Sequence, residues 1–313
     1  MIPYLAVLIT LSGALILDLT LGDPPNPFHP VAWMGHYIDL FWRCRPGIDK
    51  AREIQFIYGV SLVLSGVVLF SLPWIILSYM NIPLLWLWSI PLLKVTFAVR
   101  SLVIAGNKIR RSLDKADLEE ARRLVGRHMV SRRTDGLSAA EIASAAVESL
   151  AENITDGITA PLLFFALFGI PGAWAYRFCN TCDSMAGYRD PEHEYQGKFA
   201  AWLDMALNWL PARLTGLFIV LAAYLSGEDS RNGWLTMINQ HRRTASPNAG
   251  WSIAAMAGAL GVRLEKAGYY RLEGGNRNPD AQAIKRSIRV VWWTVALVVF
   301  ITLFIIGVLH GCS

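Results

Sequence analysis

The feature that most constrains this chain is a set of apolar runs almost free of charge, Val60–Leu77, Leu84–Leu93 and Val290–Leu309 among them, set against stretches such as Lys108–Arg133 that are dense in it. Runs approaching 20 apolar residues match what a helix needs to cross the hydrocarbon core of a bilayer. Composition agrees, with 54% of the 313 residues hydrophobic and 17% charged, against roughly 45–50% and 25% in ordinary soluble domains. An aromatic content of 11% excludes a disordered chain, and four cysteines are too few for a disulfide scaffold. The expected class is an all-α, polytopic integral membrane protein.

Six segments fit as spans: Ile2–Leu21, Phe56–Tyr79, Ile82–Ala105, Ile158–Phe178, Leu203–Leu225 and Val290–His310. Two are irregular. Ile158–Phe178 contains Pro161, Gly169, Pro171 and Gly172, and Leu203–Leu225 carries Asp204, Pro211 and Arg213. Irregular backbone at membrane depth survives only where protein or a wet cavity satisfies the freed amides and carbonyls, so about four to six transmembrane helices are expected, two of them broken. That pair either crosses together or forms a re-entrant unit.

Lys and Arg are distributed unevenly. Segments 22–55, 106–157 and 226–289 hold four, nine and ten of them, whereas the turn near Asn81 and both chain ends hold none. The positive-inside rule then places those three segments in the cytoplasm and both ends outside, with loop 179–202 outside if the broken helices cross. The net charge of +5 is loop charge on this reading and not a nucleic-acid surface. The first span reads as a retained anchor, because no Lys or Arg precedes it and Gly-Asp-Pro-Pro follows Leu21 where a signal peptide has a small-residue cleavage site. One membrane-embedded domain over 1–313 is expected, with a cytoplasmic helical insert at 106–157 and a cytoplasmic loop at 226–289.

Within the insert, Leu113–Arg133 has the apolar stripe of an amphipathic helix. A second helix should start at Ser138, where Ser-Ala-Ala-Glu spells a capping box, and run to about Asn153. Glu141, Glu148 and Glu152 share one face of it, and Asn153, Thr155 and Asp156 lie at its C-terminal end. Carboxylates grouped in this way suit Mg²⁺, which binds one or two of them together with waters and substrate phosphates. A solvated acidic face is the alternative, but the other faces carry Ala143, Ala145, Ala146 and Ala151, which are small and packable. A second polar group runs through Arg177, Asn180, Asp183, Ser184, Tyr188, Arg189 and Lys198 to Asp204, Asn208 and Arg213. Arg and Lys there would neutralise phosphate while Asp and Asn ligate a cation; hydrogen bonding within a helix bundle is the competing account.

The remaining motifs are weak. Cys179-Asn-Thr-Cys182 lacks a second metal-binding pair, and no phosphate loop of the G-x-x-x-x-G-K-[ST] or G-x-G-x-x-G type occurs. The loop Gly22–Pro30 is stiffened by four prolines and presents Asp23 and His29 just beyond the first span.

Five stretches together carry a resemblance: Leu17–Pro25 with His29-Pro30-Val31, Ala146–Gly157 (Ala-Val-Glu-Ser-Leu-Ala-Glu-Asn-Ile-Thr-Asp-Gly), Asn180–Tyr188, Asn208-Trp-Leu-Pro-Ala-Arg213 and Ser246-Pro-Asn-Ala-Gly250. In that order they resemble the adenosylcobinamide-phosphate synthase family of cobalamin biosynthesis, over most of the chain. The resemblance implies a membrane ligase that uses ATP and Mg²⁺ to join adenosylcobyric acid, a corrinoid, to (R)-1-aminopropan-2-ol phosphate or a related amino alcohol phosphate, with its site facing the cytoplasm. On that implication Glu148, Glu152 and Asp156 hold the metal with Asp204, and Asp183 joins Glu148 and Glu152 in catalysis. Arg189, Lys198 and Arg213 hold phosphates; Asn153, Asn180, Ser184, Asn208 and Asn248 line the substrates; His29 or Asp23 takes the proton of the attacking amine. A homo-oligomer, or contact with other membrane enzymes of cobalamin assembly, is also open.

Two positions depart from the family. Gly126-Arg127-His128 stands where Gly-Arg-Asp is common, and Trp202-Leu203-Asp204-Met205 stands where Arg-Leu-Asp-Asp is common, so one Arg and one carboxylate are missing beside Asp204. A diverged, non-catalytic binding or sensor protein of the same superfamily is the runner-up. A transporter would account for Asp18, Lys94, Arg100 and Arg213, but no inverted repeat is visible.

Overall fold

Apolar runs become helices nearly throughout the computed structural model, which describes residues 4–79, 85–130, 133–187, 194–266 and 268–310. In chain order these are α1 (Tyr4–Leu21), α2 (Pro30–Arg43), α3 (Arg52–Tyr79), α4 (Leu85–Lys94), α5 (Val99–Asp114), α6 (Leu118–His128) and α7 (Ala139–Ile154). A π turn over Thr155–Thr159 follows, then α8 (Ala160–Ala186), α9 (Lys198–Leu207), α10 (Trp209–Ser226), α11 (Ser230–Gln240) and α12 (Ala249–Leu260). A hairpin of β1 (Arg263–Lys266) and β2 (Tyr270–Glu273) precedes α13 (Ala281–His310). Among the described residues, five helical stretches are long and apolar enough to cross a membrane: 52–77, 87–114, 139–186, 209–226 and 281–309. The protein is an all-α, polytopic membrane protein, and its exposed apolar side chains fit that setting: Leu64, Val68, Leu72 and Ile76 on α3, Phe300 and Phe304 on α13.

The expected irregular spans are irregular, each for an identifiable reason. Inside α8, Gly169 takes φ 67° and ψ −159°, outside helical space, two residues before Pro171. Leu203–Leu225 is not one helix: α9 stops at Leu207 with Asn208 as its C-cap, and α10 begins at Trp209. Pro211 then falls in the first turn of α10, where its missing N–H costs no intrahelical bond. The π turn ahead of α8 similarly precedes Pro161, which cannot donate to the carbonyl four residues back. Three expectations need revision. Ile82–Ala105 divides into α4 and α5 around the non-helical residues 95–98. Leu113–Arg133 divides where Ala116 adopts φ 57° and Asp117 caps α6 by accepting the Glu120 amide at 3.0 Å. The hairpin β1–β2 was not anticipated.

The chain clusters into two compact units, each assembled from separate stretches. One comprises residues 1–98, 160–208 and 302–313. In it α3 packs on α8 and α9, α2 packs on α8, and α1 packs on α4. Met34, Ile38, Leu62, Val63, Trp174, Phe178 and Ala200 form its core. Phe178 stacks on Phe70 at 5.3 Å, and Gly66 on α3 leaves the space its ring fills: a Cβ there would lie 1.9 Å from the ring.

The other unit comprises residues 99–159 and 209–301. At its centre is α12, whose sequence Ala-Gly-Trp-Ser-Ile-Ala-Ala-Met-Ala-Gly-Ala-Leu is small enough for α7, α10 and α11 to pack directly against it. The hairpin lies on α7, with Leu264 and Leu272 paired across the strands and fully buried.

Candidate active site

The sequence-predicted residues divide between the two units. In the second unit, α7 is built as its sequence spells. Ser138 Oγ accepts the Glu141 amide at 3.3 Å and the Glu141 carboxylate accepts the Ser138 amide at 2.8 Å. Glu141 therefore caps the helix. Two turns on, Glu148 is buried, and both its oxygens are held: Ser144 Oγ donates to Oε1 at 2.7 Å and the Tyr270 hydroxyl donates to Oε2 at 2.6 Å. Ser144 Oγ in turn accepts the Glu265 amide of β1 at 2.9 Å. Glu148, Glu152, Ser149, Ala145, Met129, Val130, Lys266 and Tyr270 line a cavity of about 250 Å³. Asn153 donates to Ser149 O at 2.9 Å, and Ser149 donates to Met129 O at 3.0 Å, so Asn153 braces the cavity floor. Asp156 is on the π turn, a helix variant often found at functional sites. A larger depression of about 610 Å³ lies beside α6; both of its arginines are already paired there, Arg123 with Glu120 at 2.6 Å and Arg122 with Glu119 at 3.9 Å.

Elsewhere in this unit, the Arg213 guanidinium lies 4.1 Å from the centre of the Trp209 ring and 4.9 Å from that of Trp251, and donates to Trp209 O at 2.6 Å. Stacked in this way, a guanidinium keeps its charge while losing freedom, which suits an anion contact. Asn248 is buried at the N-cap of α12. His128 ends α6; burial, then the Lys108, Arg127 and Arg123 cations, hold its imidazole below the ordinary 6.5.

The first unit contains two clusters. In one, Lys94 is buried between Asp18, at 3.1 Å, and Asp23, to which it also hydrogen-bonds. His29 caps α2, its Nδ1 accepting the Val31 amide at 3.2 Å, and its Nε2 lies 3.8 Å from Asp23 Oδ1. Lys94 thus brings one positive charge to two carboxylates, and the Nδ1 of His29 is committed to the cap of α2. In the other cluster, Asp204 accepts amide N–H groups from Asn180 at 3.2 Å and from Asn208 at 3.0 Å, and the Tyr176 hydroxyl donates to Asn208 Oδ1 at 2.9 Å. Burial pushes the Asp204 carboxyl above the ordinary carboxylate range, with those two amides pulling the other way; α9, at ten residues, is too short to cross a bilayer. The Asn180 and Asn208 amides thus anchor the Asp204 carboxylate. Ser184 is exposed and donates to Asn180 O at 2.9 Å, Asp183 lies one turn after Cys179 on α8, and Lys198 sits 5.1 Å from the Trp202 ring. Tyr188 and Arg189 lie outside the described residues.

Among the described residues no three His, Cys, Asp or Glu side chains gather into a preformed metal cage. Mg²⁺ does not require one, since it keeps waters and arrives with phosphate, and the two carboxylates lining one cavity supply what it takes from protein. Lys94, Ser144, Lys266 and Tyr270 were missed as site residues. Lys94 carried a signal, being a charge in an apolar run; Tyr270 lies 122 positions from Glu148, beyond any periodicity.

The family model described as CobD/Cbib protein matches residues 11–299. The cobalamin biosynthesis protein CobD of Dehalococcoides mccartyi is 43% identical over 282 residues, covering 89% of this chain and 90% of that protein. A probable cobalamin biosynthesis protein CobD of Methanothermobacter thermautotrophicus is 41% identical over 288 residues (90% and 94%), and one of Pyrococcus abyssi is 41% identical over 308 residues (97% and 98%). No solved structure matches the chain. With nearly its whole length aligned in this way, the chain belongs to the CobD/CbiB family of cobalamin biosynthesis.

Proposed function

We propose that the protein is an ATP-dependent acid–amine ligase that joins adenosylcobyric acid to (R)-1-aminopropan-2-ol phosphate, or a related amino alcohol phosphate, to give adenosylcobinamide phosphate at the cytoplasmic face of the membrane. The observation that carries the reading is the cavity on α7, where Glu148 and Glu152, both within the stretch Ala146–Gly157 that resembles the family, share one lining with Lys266. Amide formation from a carboxylate needs a leaving group. In the proposed sequence a carboxylate oxygen of the corrinoid attacks the γ-phosphorus of ATP and ADP departs. The free amine then attacks the acyl carbon, inorganic phosphate leaves, and the amine proton passes to a base.

Mg²⁺ bound with the nucleotide would neutralise charge on the transferring phosphoryl group, and Glu148 and Glu152, with Asp156 on the adjoining π turn, are the residues that would hold it. Ser144 and Tyr270 fix the Glu148 carboxylate, so its position need not be organised during the reaction. Arg213, in contact with the Trp209 and Trp251 indoles, is assigned to substrate phosphate.

The test is product formation by purified, detergent-solubilised protein given ATP, Mg²⁺, adenosylcobyric acid and aminopropanol phosphate, followed by mass spectrometry, with Glu152→Gln alongside. Product from the parent and none from the variant is expected. Corrinoid binding without product would sink the ligase reading and leave a binding protein. Positional isotope exchange in ATP should scramble the β,γ-bridge oxygen when the corrinoid is present; no scrambling would count against the acyl phosphate.

A further inference from the structure

The hairpin β1–β2 adds something to that cavity which no resemblance assigned. Strand alternation places residues 264 and 266 of β1 on one face, and 270 and 272 of β2 on the same face. Leu264 and Leu272 are fully buried there, so the face turned toward the protein also carries Lys266 and Tyr270, which are register partners at the turn end of the ladder. Lys266 is half-buried on that face, so its ammonium keeps its charge and its freedom to turn to an anion. What lies opposite is the cavity containing Glu148 and Glu152, and Lys266 is the cationic side chain among its described lining residues. The hairpin is held in place by the very carboxylate in question, through Tyr270 to Glu148 and the Glu265 amide to Ser144. The Lys266 ammonium rests over the Tyr269 ring at 4.9 Å, a contact it can exchange for a stronger one.

We propose that Lys266 is a phosphate-binding residue and that the hairpin is the wall of the cavity that recognises a phosphate group. The proposal rests on the ligase reading for the identity of its ligands, and on the geometry alone for the site. A phosphate beside two carboxylates is repelled unless cations intervene, and Lys266 supplies one from the protein. At about 250 Å³ the cavity is below the roughly 300–1,000 Å³ of sites for drug-sized ligands, so it takes a phosphate with a few attached atoms rather than a whole nucleotide or corrinoid. Two substrates offer such a group, the amino alcohol phosphate and the terminal phosphate of ATP.

Equilibrium dialysis of the full-length protein in detergent, with labelled aminopropanol phosphate and labelled ATP in separate arms, tests this with Lys266→Ala and Lys266→Arg. Loss of a charged hydrogen bond should weaken one of the two ligands by roughly tenfold or more in Lys266→Ala, while Lys266→Arg retains most of the affinity. The arm that falls identifies the source of the phosphate. If both ligands bind Lys266→Ala within about twofold of the parent, the proposal is overturned; it is overturned equally if Lys266→Arg is as weak as Lys266→Ala while both variants keep the parent's thermal midpoint. Binding that depends on Lys266 in a protein that forms no amide would retain the site and remove the ligase reading.

Discussion

Lys94 is 2% exposed and lies against Asp18, which is fully buried, and Asp23. Removing one member of a buried ionic set leaves the others as uncompensated charge, which costs more than the pair contributes when intact. Lys94→Met is therefore expected to destabilise by about 3–5 kcal/mol, read as a fall in the thermal midpoint of the detergent-solubilised protein. Adding Asp18→Asn should restore part of the loss, and an unchanged midpoint in the single variant would show that the set contributes nothing. Glu228 poses the same question with a pH readout. Its side chain is 3% exposed and faces Arg286 at 2.9 Å and Arg289 at 2.8 Å. Burial raises its pKa, but the hydrogen bonds and charges of Arg286 and Arg289 outweigh that and hold it below the ordinary 4.5. A carboxylate depressed on folding contributes stability that is fully present above the ordinary value and is lost as pH falls through the folded one. Midpoints should be level above about pH 5 and decline from about pH 4.5 downward, with a shallower decline in Glu228→Gln. Equal declines in both would remove Glu228 as the source.

At the scale of the element, helix contacts in the first unit depend on close approach. Gly66→Ala would place a methyl group on the Phe178 ring, which is fully buried and stacked on Phe70, so neither can retreat cheaply. Overpacking of this kind costs about 1–3 kcal/mol, and a midpoint equal to the parent's would show that α3 shifts without penalty. Much of this layer was legible in the sequence, because local rules write it. Ser138 and Glu141 spelled the start of α7, Pro171 with Gly169 spelled the break in α8, and Pro211 announced a discontinuity that is realised two residues earlier as the restart of a helix. The stripe of Leu113–Arg133 concealed a break, because an amphipathic pattern can continue through a turn; Asp117 followed by Leu-Glu-Glu was the cap signal that marked it. The hairpin was harder to see, since each strand has four residues and a single buried leucine. The same distance from local rules applies to the site. Glu148 and Glu152 stood out by spacing on one helix, whereas Tyr270 and Lys266 reach them only through tertiary pairing.

For the whole molecule the deciding quantity is which side of the membrane the charged segments occupy. Lys and Arg are concentrated in segments 22–55, 106–157 and 226–289, and carrying them across a bilayer opposes the bias that orients membrane helices. Cys44 is exposed in the first of these segments, and Asp135→Cys and Asn276→Cys place exposed thiols in the other two. With Cys312 replaced by serine throughout, and Cys44 as well wherever one of the other two thiols is read, a membrane-impermeant maleimide is expected to label all three in inverted vesicles and none in sealed right-side-out cells. The 106–157 and 226–289 segments cannot part company, because Tyr270 bonds Glu148 across them. A split result for Asp135→Cys and Asn276→Cys would thus dispute that hydrogen bond as much as the orientation. Labelling of both from outside would reverse the molecule, place the Glu148 cavity away from the cellular ATP supply, and remove the ligase reading at its root.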